Sequence, residues 1–230
     1  MVHIEIDRVS HSYGEGPLAR RVLRDLDVDL DQSRIGVIGH NGSGKSTFVR
    51  MLNALVVPSQ GAVRVDGLDT ASHARQVRAR TGFLFTDPDA QIIMPTVAED
   101  VAFGLRRSGL GKEEIAQRVD QALAHYQLTE HRDHPAHLLS GGQKQLLALA
   151  AVLITGPRLI IMDEPTTLLD LRNARRIGRL IDELDQTVVL ATHHLDLLAG
   201  FERVLVFDEG CLVIDDVPAA AIAGYRALMD

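Results

Sequence analysis

Residues 39–47 form a glycine-rich block between an apolar run and a segment with helical spacing. The block fits the pattern G-x-x-x-x-G-K-[ST] at all four of its defined positions. This pattern binds phosphate when a strand leads into it and a helix follows it. Residues 34–38 predict that strand, and residues 45–55 predict a helix that ends before Pro58. The sequence therefore predicts an α/β fold with a phosphate-binding loop. An accidental glycine-rich turn would not explain both flanking elements.

The residue types in this block explain how it would hold a nucleotide. Gly42 and Gly44 allow backbone N–H groups to point at phosphate oxygens, and the following helix adds the positive end of its dipole. Lys45 supplies a charge for the β- and γ-phosphates, and Ser46 supplies a hydroxyl for Mg²⁺. The predicted nucleotide-binding residues of the block are His40, Asn41, Gly42, Ser43, Gly44, Lys45, Ser46 and Thr47.

Two carboxylates, Asp163 and Glu164, follow a second apolar run at residues 159–162. Paired acids after a strand are, taken alone, more often part of a solvated loop. In a chain with a phosphate-binding loop, an aspartate at this position holds the metal ion of the nucleotide. We therefore assign Asp163 to Mg²⁺, through water, and Glu164 to accepting a proton from an attacking water.

A second glycine block precedes a helical run at residues 143–154. Its serine is a favourable helix cap, and its two glycines expose the first backbone N–H groups of the helix to an anion. Ordinary capping would need the serine but not the glycines. Because the chain already has its own phosphate-binding loop, this block should serve a nucleotide held by another chain. The predicted nucleotide-binding residues here are Ser140, Gly141, Gly142 and Gln143.

The composition restricts the class of protein. The 230 residues are 46% apolar and 24% charged, which suits one large α/β domain with an inserted subdomain. A formal net charge of −7 argues against a nucleic-acid surface. The single cysteine, Cys211, excludes a disulfide framework. The most apolar run, residues 146–154, is much shorter than the ~20 residues that cross a bilayer. Any role at a membrane would therefore require docking onto another protein.

With these blocks in this order, the chain resembles the nucleotide-binding subunit of ABC transporters over nearly its whole length. The run Leu139-Ser140-Gly141-Gly142-Gln143 matches the signature motif of that family. The resemblance implies a P-loop ATPase fold in a single domain over residues 1–230, with ATP and Mg²⁺ as cofactors. Residues 1–90 and 156–230 would form a RecA-like core with an antiparallel β subdomain. Residues 91–155 would form an inserted α-helical subdomain that carries the signature.

The resemblance also assigns roles outside the glycine blocks. Tyr13 would stack on the adenine, Asp170 would cross a dimer interface, and His193 would contact the γ-phosphate. The predicted catalytic residues are accordingly Glu164, His193 and Lys45.

The chain departs from the family pattern at several positions. Thr86 stands where the family usually has glutamine, and His194 stands where it usually has aspartate. A threonine hydroxyl has a shorter reach than a glutamine amide, and Gln91 could replace that amide if the loop folds back. The lysine, the metal aspartate and the base remain, so hydrolysis is still expected. The predicted metal contacts are Ser46, Asp163, Thr86 and Gln91.

Residues 85–91 and 95–104 are similar to those of ATPases of energy-coupling-factor (ECF) importers for vitamins and metals. In those proteins the corresponding segment receives a helix of the transmembrane coupling subunit. The lead into the phosphate-binding loop resembles the biotin-transporter branch, and cobalt or nickel importers share most of these features. The resemblance implies a head-to-tail homodimer at the cytoplasmic face of the membrane, with a coupling subunit and a substrate-binding membrane subunit as partners. It implies no contact with nucleic acid or with the transported substrate.

Other classes of ATPase fit the sequence less well. A DNA-repair ATPase would need a long coiled coil between the loop and the signature, and that stretch has no sustained heptads. A translation-factor ATPase would carry two cassettes, and Glu164 argues against a non-hydrolytic regulator. A paralogous ATPase partner remains an alternative to the homodimer. The spacing of His131, His134 and His137 fits either a metal site or an exposed loop, and Pro135 favours the loop.

Overall fold

Ten strands and seven α-helices make up residues 1–229, the part of the chain that the computed structural model describes. In chain order the strands are β1 (Ile4–Tyr13), β2 (Arg20–Leu30), β3 (Arg34–Gly39), β4 (Gln60–Val65), β5 (Leu68–Asp69), β6 (Thr81–Leu84), β7 (Leu159–Asp163), β8 (Thr187–Ala191), β9 (Arg203–Asp208) and β10 (Cys211–Asp216). The helices are α1 (Lys45–Leu52), α2 (Ala74–Arg80), α3 (Val97–Phe103), α4 (Lys112–His125), α5 (Gly141–Leu153), α6 (Leu171–Asp182) and α7 (Pro218–Met229).

The chain divides into two units, and each is described separately below. The first unit comprises residues 1–82, 158–164 and 182–229. The second unit comprises residues 83–157 and 165–181. The assignment of residues 91–155 to a distinct helical subdomain stays a prediction.

An antiparallel sheet in the order β2-β1-β4-β5 belongs to the first unit. Ile4 of β1 pairs with Leu30 of β2 on one side and with Val65 of β4 on the other. In the second half of β2, apolar residues are buried and the aspartates between them are exposed. Side chains that alternate between the two faces of a strand produce this pattern. The predicted antiparallel sheet is confirmed.

The second sheet has the strand order β10-β9-β3-β8-β7-β6, and β9, β3, β8 and β7 run parallel to one another. Every residue of β7 and β8 is buried, as in parallel strands covered on both faces. The carboxyl ends of parallel strands lie at one edge of a sheet, where ligands of α/β proteins bind. At this edge β3 leads into residues 39–47, β7 ends at Asp163 next to Glu164, and β8 is followed by His193.

The core of the first unit is built around α1. Six of the eight residues of α1 are buried, and its Phe48 ring lies 5.0 Å from the ring of Phe207 on β9. Both rings are only 1% exposed. The predicted extension of this helix to residue 55 is wrong, because Asn53 ends the helical turn and Ala54 adopts a positive φ of 55°.

Two helices of the second unit begin with a complete capping box. Thr96 accepts a hydrogen bond from the backbone N–H of Glu99, whose side chain returns to the backbone of Thr96, as the sequence predicts. Ser140 and Gln143 make the same reciprocal pair at the start of α5. Within residues 1–229, no helix combines the length and the apolar character needed to cross a bilayer.

The contact between Phe48 and Phe207 gives the first prediction. Phe48→Ala should lower the free energy of unfolding by about 3–5 kcal/mol, because it removes a buried ring and leaves a cavity. Urea unfolding followed by circular dichroism measures the change. Leu18→Ala is the control, since Leu18 is 89% exposed and its truncation should change stability by less than about 0.5 kcal/mol. Equal losses in the two variants would contradict this account of the core.

Candidate functional site

The loop between β3 and α1 depends on glycines at three positive-φ positions. Gly39, Gly42 and Gly44 have φ values of 151°, 84° and 106°. A Cβ on Gly39 would lie 2.2 Å from the carbonyl oxygen of Phe207, and one on Gly44 would lie 2.7 Å from Leu23. At Gly42 a Cβ would meet no heavy atom within 4 Å, so this part of the loop faces open space. Two of the glycines are therefore needed for packing, and the third leaves room for a ligand.

Lys45 lies within the curve of this loop. Its ammonium donates hydrogen bonds to the carbonyl oxygens of Gly39, at 2.7 Å, and His40, at 3.0 Å. Burial lowers the pKa of Lys45, while the carboxylates of Glu164 and Asp163 act in the opposite direction. The loop thus holds a nearly buried positive charge where the sequence predicts the β- and γ-phosphates.

A cavity of about 420 Å³ opens above the loop. It is lined by Tyr13, Arg20, Val22 and Glu164 and by the loop residues Asn41, Gly42, Gly44, Lys45, Ser46 and Thr47. The volume is within the range of small-molecule sites. A lysine, an arginine and exposed backbone N–H groups suit it to a polyanion such as a nucleoside triphosphate.

Tyr13 stands at the rim of the cavity. Its ring is 45% exposed, and its hydroxyl lies 3.4 Å from the hydroxyl of Thr47. The ring of His11 packs edge-on against Tyr13, with 4.6 Å between the centroids and 88° between the planes. Burial lowers the pKa of His11, so this contact is made by the neutral imidazole near pH 7. The adenine-stacking role of Tyr13 stays a prediction.

Asp163 is 1% exposed and connects the loop helix to β7. One carboxylate oxygen accepts a hydrogen bond from the hydroxyl of Ser46 at 2.8 Å, and the other lies 3.0 Å from a guanidinium nitrogen of Arg50. Hydroxyl and carboxylate oxygens are the ligand types that Mg²⁺ prefers, so the donor set of Ser46 and Asp163 fits this ion. Arg50 was missed in the sequence analysis. Its position in the sequence carried no signal, because its partner is 113 residues away.

Glu164 has a positive φ of 55° and lines the cavity. Its backbone N–H donates to the carbonyl oxygen of Ala191 at the end of β8, at 2.9 Å. Its carboxylate accepts a hydrogen bond from the backbone N–H of His193 at 3.2 Å and lies 2.7 Å from Nδ1 of that histidine. The structure therefore brings together three of the predicted site residues, Lys45, Glu164 and His193.

The signature block lies in the second unit, at the start of α5. The hydroxyl of Ser140 accepts a hydrogen bond from the backbone N–H of Gln143 at 3.4 Å. A Cβ on Gly142 would lie 2.5 Å from the side chain of Asn173, whereas one on Gly141 would meet nothing within 4 Å. Asp170 accepts two hydrogen bonds from Asn173, at 2.8 and 3.1 Å. Gly142 is thus required by packing, while Gly141 leaves the helix start open.

Thr86 and Gln91 also belong to the second unit, so their predicted contact with a metal ion stays a prediction. The amide oxygen of Gln91 accepts a hydrogen bond from the backbone N–H of Phe85 at 3.2 Å, and its amide nitrogen lies 3.5 Å from the carbonyl oxygen of Ala148. These contacts hold the Gln91 side chain against its own unit. Thr86 is half-buried.

The histidine-rich segment before α5 does not form a metal-binding cluster. Within residues 1–229, no group of three or more histidine, cysteine or acidic side chains is arranged to hold a metal ion. His131 and His134 instead contact each other, with 3.0 Å between their Nδ1 atoms. His137 is exposed.

Comparison with known proteins identifies the family. The family model described as "ABC transporter" matches residues 23–167. A putative ABC transporter ATP-binding protein of Deinococcus radiodurans is 54% identical, over 98% of each chain. The biotin transport ATP-binding protein BioM of Rhizobium etli is 47% identical, over 99% of each chain. An energy-coupling factor transporter ATP-binding protein, EcfA1 of Caldanaerobacter subterraneus, is 41% identical over 94% of this chain and 80% of its own length.

Solved structures agree with these relatives. The structure of cbiO1 from Clostridium perfringens, part of the ABC transporter complex cbiONQ, has a TM-score of 0.84 and 30% identity. It covers 98% of this chain and 92% of its own. The ATP-binding cassette MJ0796, solved as a dimer bound to ADP and Pi, has a TM-score of 0.83 and 26% identity over 94% and 98% of the two chains. The phosphate-binding loop and the acidic pair of Asp163 and Glu164 agree with these relatives, and the chain belongs to the ABC transporter family as one of its ATP-hydrolysing subunits.

Proposed function

We propose that this chain hydrolyses ATP between two copies of itself and thereby drives an ECF-type importer for a vitamin, most specifically biotin. The observation that carries the catalytic part is that Lys45 and Glu164 line one cavity and that His193 contacts the Glu164 carboxylate. The cargo rests on the 47% identity to BioM, because an ATPase of this kind does not contact the transported molecule.

Each residue of the site has a separate proposed role in ATP hydrolysis. The loop and Lys45 bind the phosphates, and Ser46 and Asp163 would hold Mg²⁺, which supplies charge neutralisation for the phosphoryl group when bound. Arg50 lies beside the second oxygen of Asp163 and compensates its charge, which fixes the orientation of this buried carboxylate. Glu164 accepts the proton of the attacking water. His193 holds the Glu164 carboxylate in place through two contacts with the same oxygen.

The second glycine block supports a composite site. The first N–H groups of a helix have no partner within the helix, and the cap of Ser140 reaches the third helical residue, Gln143. The N–H groups of Gly141 and Gly142 precede that bond, and nothing lies where a side chain of Gly141 would be. In the proposed head-to-tail dimer these groups bind the γ-phosphate of an ATP held by the partner. The dimeric MJ0796 cassette supports this arrangement.

The proposed partners are a transmembrane coupling subunit and a substrate-binding membrane subunit, which would hold the ATPase pair at the cytoplasmic face of the membrane. The relatives named for biotin transport and for energy-coupling factor transport support this assignment. Segment 91–103 is the proposed contact with the coupling subunit. Ile93 and Phe103 in this segment are 60% and 41% exposed, so apolar surface is available there.

Replacing the proposed base gives the second prediction. Glu164→Gln keeps the size and most hydrogen bonds of the side chain but cannot accept a proton, so ATP turnover should fall by about 10²–10⁴-fold. ATP should still bind, and the variant should accumulate as a nucleotide-bound dimer. A phosphate-release assay and size-exclusion chromatography with ATP measure the two effects. Turnover at the parental rate would contradict the role of Glu164.

The composite site predicts complementation between two inactive variants. Lys45→Ala lacks the lysine that binds the phosphates, and Ser140→Arg blocks the start of α5, the signature helix. Neither variant should therefore turn over ATP alone. A mixed dimer contains one intact pocket, with Lys45 from one chain and Ser140 from the other. Mixing the two proteins should therefore restore turnover. If mixed dimers form, as detected with two affinity tags, and turnover stays absent, each chain carries its site by itself.

The proposed membrane role predicts co-purification from native membranes. The tagged chain should bring down integral subunits together with a small molecule that mass spectrometry identifies, with biotin expected. Ile93→Asp should reduce this co-purification while basal ATP turnover stays near the parental rate. Leu18→Asp is the matched control, because it places the same charge at another exposed aliphatic residue. Full activity of a protein that never brings down membrane subunits would instead support a non-transport ATPase.

A further inference from the structure

We propose that His131 and His134 are positioning residues that hold the signature helix, and that they do so when both imidazoles are neutral. The two rings and Gln143 form a chain of hydrogen bonds that ends at the capping box of α5. A proton added to either ring would break this chain. ATP turnover then depends on pH through His131 and His134, which take no part in the reaction itself.

The capping box fixes the orientation of the Gln143 amide. The backbone N–H of Ser140 donates to Oε1 of Gln143 at 2.9 Å. Because a backbone N–H cannot accept a hydrogen bond, the amide oxygen must face Ser140 and the amide nitrogen must face away. That nitrogen lies 2.7 Å from Nε2 of His131. The amide nitrogen carries hydrogens and no acceptor, so Nε2 of His131 must be the acceptor.

The tautomers of both histidines follow from this bond. A neutral imidazole has one N–H and one acceptor nitrogen. Since Nε2 of His131 accepts, its proton is on Nδ1 and points at Nδ1 of His134, 3.0 Å away. Nδ1 of His134 must then accept, and its proton is on Nε2. One arrangement of protons therefore satisfies all the bonds from His134 to Ser140.

An additional proton on either ring is incompatible with the hydrogen bonds from His134 to Ser140. If His131 is protonated, its Nε2–H faces the amide N–H of Gln143. If His134 is protonated, its Nδ1–H faces the Nδ1–H of His131, which must move its own proton to Nε2. In both cases Gln143 can relieve the clash by turning its amide over. The amide nitrogen then faces the backbone N–H of Ser140, and the capping box is lost.

No nearby carboxylate offsets this effect. Among the ion pairs of residues 1–229, none joins His131 or His134 to a carboxylate. The titratable and charged groups of the surrounding elements are Glu130, Arg132 and Asp133 in the same segment, Glu99 and Asp100 of α3, Lys112, Glu113, Glu114, Arg118, Asp120 and His125 of α4, and Lys144 of α5. Arg132 pairs with Asp120 and Asp133, Glu99 caps Thr96, and Lys144 pairs with Asp89.

The direction of the pH dependence follows from the neutral requirement. Histidine ordinarily changes charge between about pH 5 and 8. The hydrogen bonds from His134 to Ser140 require both rings to be neutral, so the proposal predicts that the capping box is lost as the pH is lowered. The effect on ATP turnover rests on the proposed function, since it requires the signature helix to complete the site of a partner chain. The tautomers do not depend on that function.

The first experiment reads the tautomers directly in the full-length chain. Nitrogen-15 NMR of histidine-labelled protein at pH 8 should show the proton of His131 on Nδ1 and that of His134 on Nε2, with single histidine variants providing the assignment. Gln143→Glu should raise the titration midpoint of His131, because a carboxylate can accept a bond from the protonated ring. A His131 proton on Nε2, or a midpoint unchanged in Gln143→Glu, would overturn the proposal.

The second experiment measures ATP turnover against pH. Between pH 8 and pH 5.5 the parental enzyme should lose about fivefold more turnover than His131→Gln, which corresponds to one lost capping interaction. The glutamine oxygen can accept from Gln143 and does not titrate. His137→Gln should follow the parental profile, and His131→Lys, a permanent donor, should be slow at both pH values. Identical profiles for His131→Gln and the parent would exclude a role of the pair in turnover. Absence of ATP turnover in the parent would refute the proposed function. The NMR experiment would then be the test of the hydrogen bonds of His131 and His134.

Discussion

The parallel pairing of β3, β7 and β8 is the constraint on which the site depends. Each strand is buried, so the polar residues of these segments collect where the strands end. Registers in which Asp163 pairs with Ala191, and Val37 with Ala191, bring the ends of the three strands to one edge. The phosphate-binding loop, the acidic pair and His193 therefore all lie at this edge. A different strand order would separate the same motifs.

The charges at this edge occur as compensated pairs. Lys45 is bound by two carbonyl oxygens, Asp163 by Ser46 and Arg50, and the Glu164 carboxylate by His193. Burying a charge without a partner costs several kcal/mol, so each of these contacts offsets part of that cost and orients its group. The positive φ of Glu164 has a similar consequence, since it turns the carboxylate toward the cavity.

At the start of the signature helix α5, polar backbone groups and not charged side chains need partners. A helix start has N–H groups that need partners, and the capping box of Ser140 and Gln143 satisfies two donors while Gly141 keeps the end open. The amide of Gln143 is in turn held by His131. The serine and the two glycines leave the start of α5 open to the anion of the proposed composite site. The proposed histidine pair would keep the Gln143 amide, and with it the capping box, in one orientation.

The sequence by itself determined the local features of this protein. The phosphate-binding loop, the buried parallel strands and the capped helices depend on glycine spacing, apolar runs and short-range hydrogen bonds, all of which lie within a few residues. The tertiary structure alone decided that Arg50 compensates Asp163, that His131 contacts Gln143 and that α1 ends at Leu52. The first two features depend on side chains that meet through folding, and no periodicity or local propensity encodes a contact between segments that are 113 residues apart. The end of α1 depends on the backbone turn at Asn53 and Ala54.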